Sequence, residues 1–406
     1  MSRKNKIFND PVYGFITIPR GLLLDIIDHP FFQRLRRISQ LGLTYYVYPG
    51  ATHSRFHHTL GAYHLMTQAI TVLRSKGVDI TEEEAEGVQL AILLHDIGHG
   101  PFSHALEHTI VNVHHEFLSL EFMNRFNEIF DGQLKTAIEI FTNNHPKKFL
   151  YQLVSGQLDM DRMDYLNRDS FYTGVYEGVI GYDRIINMLD VSDGELVVEI
   201  KGIYSIEKFL IARRLMYWQV YLHKTAFGAE QMLIYALKRA KYLAQQGQLT
   251  SCSKTLNYFL MNSFGENDFK KEDSQTLVQF SKLDDTDLLS ALKDFADHED
   301  EILSFLAYSI VNRQLFRTEV NNLPFASDYV ENIRLKMRKQ LGISEEAFNY
   351  LLLQKQESNN AYNKDFEEIK ILFGNGEVKP ISVLNDLEIP TKIVTKHFLC
   401  YPKSIH

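Results

Sequence analysis

Cysteine is almost absent from this chain of 406 residues, which has only Cys252 and Cys400. So few thiols exclude a disulfide framework and a cysteine-based metal site. The sequence also has no apolar run long enough to span a membrane, and its N-terminus lacks the apolar segment of a signal peptide. With 45% hydrophobic and 23% charged residues, the composition is that of a globular protein. We therefore expect a soluble cytoplasmic protein with no role at a membrane.

An excess of positive charge is lacking as well, because 43 lysines and arginines face 51 acidic residues and the formal net charge is −8. Proteins that hold nucleic acid need basic surface to neutralise its phosphates. The basic patches at residues 147–148 and 334–339 are more typical of solvated helix faces. Nucleic acid is therefore not an expected partner, and an anionic substrate needs arginine, lysine or a metal placed locally.

The hydrophobic pattern divides the chain into two parts. Apolar residues recur at helical spacing through most of the first part. The helices predicted there cover residues 22–41, 59–76, 81–94, 116–130, 133–143, 149–153, 205–245 and 284–313, and a strand is predicted at 195–203. After about residue 315, strands are predicted at 366–373 and 391–398 and a helix at 328–341. We predict a mainly α fold, with a helical domain over residues 1–315 and a small α+β C-terminal region over residues 316–406.

The most informative stretch is residues 95–104, which reads His-Asp-Ile-Gly-His-Gly-Pro-Phe-Ser-His. It follows directly on the apolar run of residues 88–94, so three imidazoles and a carboxylate gather where a buried helix ends. Such a concentration of titratable groups behind a buried helix is typical of a reactive site. Imidazole and carboxylate together suit a divalent metal that activates water near phosphate oxygens.

Two other segments offer metal ligands. His57 and His58 are adjacent, and neighbouring side chains on a helix point about 100° apart, so only one of the two is expected to face the metal. Further along, Asp161 and Asp164 share one helix face. Taken singly, each histidine also fits a satisfied core residue and each aspartate a helix cap.

The ordered set His58, His95-Asp96 and Asp161 resembles the H…HD…D pattern of the HD-domain phosphohydrolases. Within that superfamily, several strings resemble the deoxynucleoside triphosphate triphosphohydrolase branch, which includes dGTPases and enzymes that also carry a sterile-alpha-motif domain. These strings are residues 8–11, 32–36, 48–51, 55–58, 95–104 and 159–169. The similarity spans residues 7–230, with a motif core at 45–230, and no sterile-alpha-motif domain is expected here.

The resemblance implies a helical HD core that holds one divalent metal. The implied ligands are His58, His95, Asp96 and Asp161. Because histidine and aspartate bind several metals in different settings, Fe, Mn, Mg, Ni, Co and Zn all stay open. A further Mg²⁺ ion is expected to accompany the phosphates of a bound nucleotide.

Catalytic roles are implied for four residues close to the HD string. His115 is expected to be the general acid and Glu116 its orienting partner, a division of labour that imidazole chemistry supports. His104 would hold the attacking water, and His99 would reach a phosphate oxygen. The alternative for His115 is a surface histidine beside a capping glutamate.

The resemblance also places a substrate pocket. Arg55 lies three residues before His58, where its guanidinium would grip a phosphate. Tyr165 and Tyr221 would wall the deoxyribose and so exclude a 2′-hydroxyl, although each also fits a core aromatic residue. The remaining matches are Arg162 and Arg213 at the triphosphate, Gln40 and Leu41 near the sugar, Asp169 at the 3′-hydroxyl, and Tyr217 in place of a histidine.

A second set of positions matches the activator site of nucleotide-activated members. It consists of Asn9, Asp28, Gln33, Arg36, Arg184 and Lys224. The alternative is a solvated helix face on which Arg36 forms a surface ion pair. If the match holds, a nucleotide activator and a homo-oligomer, either a dimer or a tetramer, are expected.

The expected reaction is therefore hydrolysis of a deoxynucleoside triphosphate to deoxynucleoside and inorganic triphosphate, by attack of a metal-activated water on the α-phosphorus. One alternative is an HD nucleotidase or phosphodiesterase that acts on mono- or cyclic nucleotides. Another is a regulator that binds nucleotides or nucleic acid without turnover. The basic set Arg55, Arg162 and Arg213 favours a long phosphate chain, and the complete set of metal ligands disfavours a regulator.

Overall fold

The computed structural model describes residues 5–103, 107, 109–249, 252–270, 274–342, 344–359, 367–384 and 393–405. Helices dominate these residues, which confirms the predicted mainly α class. The helices are α1 (Leu22–Asp28), α2 (Pro30–Gln33), α3 (Arg55–Ser75), α4 (Glu82–Leu94), α5 (His115–Ile129), α6 (Lys135–Phe141), α7 (Lys148–Val154), α8 (Met160–Thr173), α9 (Tyr182–Asn187), α10 (Ile203–Met216), α11 (Lys224–Gln245), α12 (Lys254–Met261), α13 (Glu266–Phe269), α14 (Gln275–Phe280), α15 (Asp285–Phe295), α16 (Glu301–Val311), α17 (Ser327–Leu341) and α18 (Phe348–Leu351).

The strands form three small sheets. They are β1 (Lys6–Asp10), β2 (Gly14–Ile18), β3 (Leu189–Ser192), β4 (Glu195–Glu199), β5 (Arg317–Asn321), β6 (Leu353–Asn359), β7 (Lys370–Leu372), β8 (Val378–Pro380) and β9 (Val394–Tyr401). Strands β1 and β2 form a hairpin, and the other sheets have the orders β3-β4-β7-β8 and β5-β9-β6. All pairs are antiparallel except β4 with β7, where Val198 lies opposite Ile371.

The pairing of β4 with β7 ties the C-terminal region to the helical part of the chain. Strand β4 precedes α10, whereas β7 lies more than 170 residues further along. The two regions predicted from the sequence therefore share a sheet. The boundary predicted after residue 315 falls between α16 and β5 and stays a prediction.

Helix α4 begins where its sequence predicts. The Thr81 hydroxyl accepts a hydrogen bond from the Glu84 backbone N–H at 3.1 Å, and the Glu84 carboxylate accepts one from the Thr81 N–H at 2.8 Å. This reciprocal capping box satisfies two of the N–H groups that a helix start leaves unpaired. From Val88 onward almost every residue of α4 is buried, so the helix runs through the core.

The single helix predicted over residues 22–41 is wrong, because the structure breaks this segment into α1, α2 and a 3-10 turn at Arg34–Arg37. The break lies at His29, whose backbone is extended (φ −70°, ψ 142°). Pro30 follows it, and a proline disfavours the helical conformation of the residue before it. The His29 ring then accepts a hydrogen bond from the Phe31 N–H at 3.2 Å and caps α2.

The long helix predicted over residues 205–245 is likewise divided. Helix α10 ends at Met216, a π-type turn covers Tyr217–Tyr221, and α11 begins at Lys224. Turns of this kind are uncommon and are frequent at functional sites. Here the turn carries two tyrosines, Tyr217 and Tyr221, that line the cavity described below.

Helix α3 is the central element of the core and packs against α4 and α8. The first turn of α3, the C-terminal end of α4 and the first turn of α8 meet, and all the predicted metal ligands lie at these three places. Among the described helices, none combines the length and the hydropathy that crossing a membrane requires.

Candidate metal centre and active site

Three predicted metal ligands meet at the junction of α3, α4 and α8. His58 Nε2 lies 3.1 Å from an Asp161 carboxylate oxygen, and His95 Nε2 lies 3.5 Å from the same oxygen. The two Nε2 atoms are 3.4 Å apart. One ligand atom from each of the three residues therefore faces a common point.

The other nitrogen of each imidazole is already engaged. His95 Nδ1 lies 2.6 Å from the Ile92 carbonyl oxygen, which can only accept, so Nδ1 carries the proton. His58 Nδ1 lies 2.7 Å from an Asp164 carboxylate oxygen in the same way. With Nδ1 as the donor in each ring, the lone pair of Nε2 faces the centre once Nε2 is unprotonated, an arrangement typical of metal-binding histidines.

Asp96 borders this centre. Its carboxylate oxygens lie 3.4 Å from His95 Nε2 and 3.6 Å from His58 Nε2, and one of them accepts a hydrogen bond from the Arg55 guanidinium. All four ligands predicted from the sequence are therefore brought together. His57 instead accepts a hydrogen bond from the Ser54 N–H at 3.2 Å and lies outside the centre, as the spacing of adjacent helical residues predicts.

The electrostatics of the centre favour a cation. Burial opposes protonation of His58, but hydrogen bonds to Asp161 and Asp164 outweigh it and raise the pKa of His58 to about 10. Burial alone would raise the pKa of Asp161, yet the neighbouring His58 and His95 lower it. A buried site that stabilises positive charge on an imidazole also stabilises a divalent cation in its place.

A buried ion-pair network supports His58 from behind. Arg168, which has no solvent exposure, donates to Asp164 at 2.9 and 3.0 Å and to Asp10 of β1 at 2.7 Å. Helix α3 can approach this pair closely because residue 61 is glycine. A Cβ atom at Gly61 would overlap the side chains of both Asp164 and Arg168. The orientation of His58 therefore depends on contacts from three separate parts of the chain.

Beside the centre lies a pair of stacked imidazoles. The rings of His99 and His115 have centroids 3.8 Å apart, and His99 Nε2 lies 3.3 Å from an Asp96 oxygen. Burial, followed by the charge of Arg55, holds the pKa of His99 well below its usual range. His99 is therefore neutral at physiological pH.

His115 is oriented by a carboxylate that the sequence did not reveal. Its Nδ1 lies 2.6 Å from Glu107 Oε1. The predicted pairing of His115 with Glu116 is not the one that the structure shows. Glu116 has a side chain that is 70% exposed and lies 3.9 Å from His114. The reason is that the ring of His115, the first residue of α5, points back toward Glu107, whereas Glu116 points into solvent. His104, predicted to hold the attacking water, lies outside the described residues.

The metal centre opens into a cavity of about 790 Å³. Asp96, His99, His115 and Asp161 reach its wall, whereas His58 and His95 are not among the lining residues. The cavity is also lined by most of the predicted substrate residues: Gln40, Leu41, Arg55, Tyr165, Asp169, Arg213, Tyr217 and Tyr221. One cavity therefore joins the two sets of residues that the sequence predicted separately.

Arg162 is the predicted substrate residue that does not line this cavity. Its backbone N–H donates to Asp159 Oδ1 at 2.7 Å, and its guanidinium pairs with the other oxygen of the same carboxylate. Asp159 is the cap of α8, so Arg162 is held at the start of its own helix. Arg213 does reach the cavity, and its Nη1 donates to Gln157 Oε1 at 3.1 Å.

Two tyrosines and an aspartate form one wall of the cavity. The Tyr221 hydroxyl donates to Asp169 at 2.9 Å, and the other Asp169 oxygen lies 2.7 Å from His53 Nε2. The rings of Tyr165 and Tyr221 meet edge to face at 6.0 Å. These contacts fix the shape of the wall before any ligand is bound.

The predicted activator residues lie away from the cavity lining. Gln33 donates to the Ile27 carbonyl at 2.7 Å, and Arg36 donates to Gln33 at 2.8 Å while its guanidinium lies over the Phe56 ring. Asp28 is close enough to affect the pKa of Arg36. The other three belong to separate elements: Asn9 to β1, Arg184 to α9 and Lys224 to α11. The nucleotide activator and the homo-oligomer stay predictions.

Comparison with known proteins assigns the fold to a family. The model of the HD domain matches residues 55–169, and that of the HD associated region matches residues 180–261. The protein YwfO of Bacillus subtilis is 33% identical over 99% of this chain and 93% of its own length. The chain belongs to the HD-domain family. The matched HD segment runs from Arg55 to Asp169 and so contains the whole metal centre.

Two further relatives bear on function. The crystal structure of a phosphohydrolase from Bacteroides thetaiotaomicron superposes with a TM-score of 0.94, at 52% identity over 98% of this chain and all of that one. The deoxynucleoside triphosphate triphosphohydrolase SAMHD1 homolog of Dictyostelium discoideum is 34% identical over 63% of this chain and 54% of its own length. The chain is therefore an HD phosphohydrolase, and it matches about half of the Dictyostelium protein.

Proposed function

We propose that this HD phosphohydrolase cleaves deoxynucleoside triphosphates to deoxynucleoside and inorganic triphosphate. The observation that carries the proposal is the single cavity. It joins the metal-centre carboxylates, the His115–Glu107 pair and the arginines Arg55 and Arg213 to a tyrosine-lined wall. The similarity to SAMHD1 proteins supports the same assignment.

The donor set fits a divalent metal. Two imidazole Nε2 atoms with oriented rings face one carboxylate oxygen, and Asp96 adds a second carboxylate beside them. His58, His95, Asp96 and Asp161 would hold the ion. When bound, a divalent cation supplies Lewis acidity and makes water a stronger acid at neutral pH.

The arginines account for binding of the phosphates. Arg55 is buried between Asp96 and Ser103, to whose hydroxyl its Nε donates at 3.1 Å. Arg213 reaches the cavity from α10. Guanidinium groups offer several N–H donors in a fixed plane, which suits the oxygens of a phosphate chain. Arginines from two different elements therefore favour a substrate with several phosphates over a monophosphate.

His115 is placed to protonate the leaving group. Glu107 holds its Nδ1, so the ring has a fixed orientation and Nε2 is the nitrogen that delivers the proton to the 5′-oxygen. The 5′-oxygen needs this proton because an alkoxide is a poor leaving group in water. Neutral His99, stacked on His115, fixes the plane of the ring.

Tyr165 and Tyr221 account for the choice of sugar. Their edge-to-face contact and the hydrogen bond from Tyr221 to Asp169 make this wall rigid. A ribonucleotide carries an additional hydroxyl at C2′, and a rigid aromatic wall beside that carbon excludes it by steric overlap. Deoxynucleotides are therefore the proposed substrates.

The experiment is a product analysis on the full chain. The protein is incubated with each dNTP and NTP, with Mg²⁺ or Mn²⁺, with and without dGTP or GTP as activator, and the products are separated by ion-pairing chromatography. We expect deoxynucleoside and intact triphosphate, and no turnover after treatment with a chelator. Deoxynucleoside monophosphate with pyrophosphate would contradict the proposal. Turnover of mono- or cyclic nucleotides alone would favour a nucleotidase or phosphodiesterase, and no turnover of any nucleotide a binding regulator.

A further inference from the structure

The far wall of the cavity is formed by the C-terminal sheet. Glu357, Ser358 and Asn359, at the end of β6, line the same cavity as the metal-centre carboxylates. These residues lie well beyond the segments that the two family models match, which end at residues 169 and 261. The C-terminal region therefore contributes directly to the site.

A row of tyrosine rings connects the metal centre to Glu357. Tyr165 lies one helical turn after Asp161, and its ring is 6.0 Å from that of Tyr221. The Tyr221 ring is in turn 6.3 Å from that of Tyr217. Tyr217 and Glu357 line the same cavity, and after burial the charge of Glu357 is the next cause that raises the pKa of Tyr217. With Tyr165 and Tyr221 at the sugar, as in the proposed function, the base of a bound nucleotide lies toward Tyr217 and Glu357.

A second acceptor lines the cavity from α11, the helix that packs against the C-terminal sheet. Helix α11 is held on the C-terminal sheet by Phe227, whose ring is 4.2 Å from that of Phe398, and by Tyr235, whose ring lies 5.4 Å from the Lys355 ammonium. Gln231 lies one turn after Phe227 and one turn before Tyr235, and it lines the cavity. It is only 7% exposed, and its Oε1 has no hydrogen-bond partner among the residues that the structure describes.

A carboxylate and an unpartnered amide oxygen favour a base whose edge carries hydrogen-bond donors. An ionised carboxylate accepts hydrogen bonds and donates none. The pairing edge of guanine has two neighbouring donors, N1–H and the N2 amino group. Adenine and cytosine place a ring acceptor beside their single amino group, and thymine flanks its one N–H with carbonyl oxygens. Guanine is therefore the base whose edge complements a carboxylate at two points.

We propose that Glu357, assisted by Gln231, recognises the guanine base, so that the substrate class of the site is the guanine deoxynucleotide. This inference rests on the proposed function for the orientation of the nucleotide in the cavity. Glu357 accepts from N1–H and from N2–H, and the Gln231 oxygen accepts the second amino hydrogen. The C-terminal sheet then determines base selectivity, while the helical core determines the reaction.

The test compares Glu357→Gln with the unaltered chain on dGTP, dITP and dTTP. Hypoxanthine, the base of dITP, is guanine without the 2-amino group, so dITP removes both proposed contacts to that group and keeps only the one to N1–H. A hydrogen bond to a charged group contributes enough to change kcat/KM by about tenfold or more. We expect the unaltered chain to prefer dGTP over dITP by about tenfold, and Glu357→Gln to reduce the dGTP-to-dTTP ratio by a similar factor. Gln356→Ala, an exposed neighbour on the same strand, is the control and should keep both ratios.

Binding separates this inference from the proposed function. Calorimetric titration with deoxyguanosine and deoxyinosine measures the same contacts without turnover. The inference is supported if the unaltered chain binds deoxyinosine more weakly than deoxyguanosine and Glu357→Gln binds the two equally. This result would count even if no dNTP is hydrolysed. The inference is overturned if Glu357→Gln and the unaltered chain have the same dGTP-to-dTTP ratio of kcat/KM and the same ratio of affinities for deoxyguanosine and deoxyinosine. That result would leave dNTP hydrolysis untouched.

Discussion

Replacement of Asp161 by asparagine is expected to reduce kcat/KM by roughly a thousandfold or more while the protein stays folded. The side chain keeps its size, but the oxygen that lies 3.1 Å from His58 Nε2 and 3.5 Å from His95 Nε2 loses its charge. Because this charge favours a cation at the centre, bound metal is lost together with activity. The measurement is metal content by mass spectrometry on the purified variant, alongside steady-state kinetics and a thermal melt.

Asp183→Asn is the matched control for this prediction. Asp183 is exposed in the first turn of α9 and does not line the cavity, so the same change there should leave kinetics and metal content unaltered. A folded Asp161→Asn protein with normal metal content and near-normal turnover would show that the centre lies elsewhere.

Replacement of His115 by glutamine is expected to lower kcat by a factor of about 10² to 10⁴, the usual contribution of a general acid. Bound metal should remain, because His115 is not one of the four proposed ligands and its Nδ1 is held by Glu107. Glu107→Gln should lower kcat by about tenfold or more, since the carboxylate that orients the ring is lost. Single-turnover kinetics with parallel metal analysis would measure both effects.

Replacement of Glu116 tests whether Glu107, as in the structure, or Glu116, as predicted from the sequence, orients His115. Glu116→Gln is expected to change kcat by less than about twofold, because solvent-exposed charges contribute little. Its side chain lies beside His114 and not beside His115. If Glu116→Gln lost activity and Glu107→Gln kept it, the orienting role would return to Glu116.

The residues that meet at the candidate metal centre could be predicted from the sequence because their local context is strong. His95 and Asp96 follow directly on the apolar helix α4, and Asp161 lies in the first turn of α8. Helix boundaries that depend on local capping could also be predicted from the sequence, as the Thr81–Glu84 capping box shows. These features depend on residues that are close together in the chain.

The features that escaped prediction depend on distant contacts or on loops. Glu107 lies outside any helix or strand, and no periodic pattern marks it as the partner of His115. The pairing of Arg162 with Asp159 depends on how the start of α8 is capped. Glu357 reaches the cavity only because β6 joins β9 and α11 packs against that sheet. Pro30 was a local signal for the break after α1, and it outweighed the helical spacing of the apolar residues.

The most direct test of the account is the reaction carried out in ¹⁸O-labelled water with a dNTP and Mn²⁺, followed by mass spectrometry of both products. Attack on the α-phosphorus with departure of the 5′-oxygen places the label in inorganic triphosphate and leaves the deoxynucleoside unlabelled. That is the predicted result, and it should disappear in Asp161→Asn. Label in the deoxynucleoside, or in a monophosphate released with pyrophosphate, would contradict the proposed triphosphohydrolase reaction.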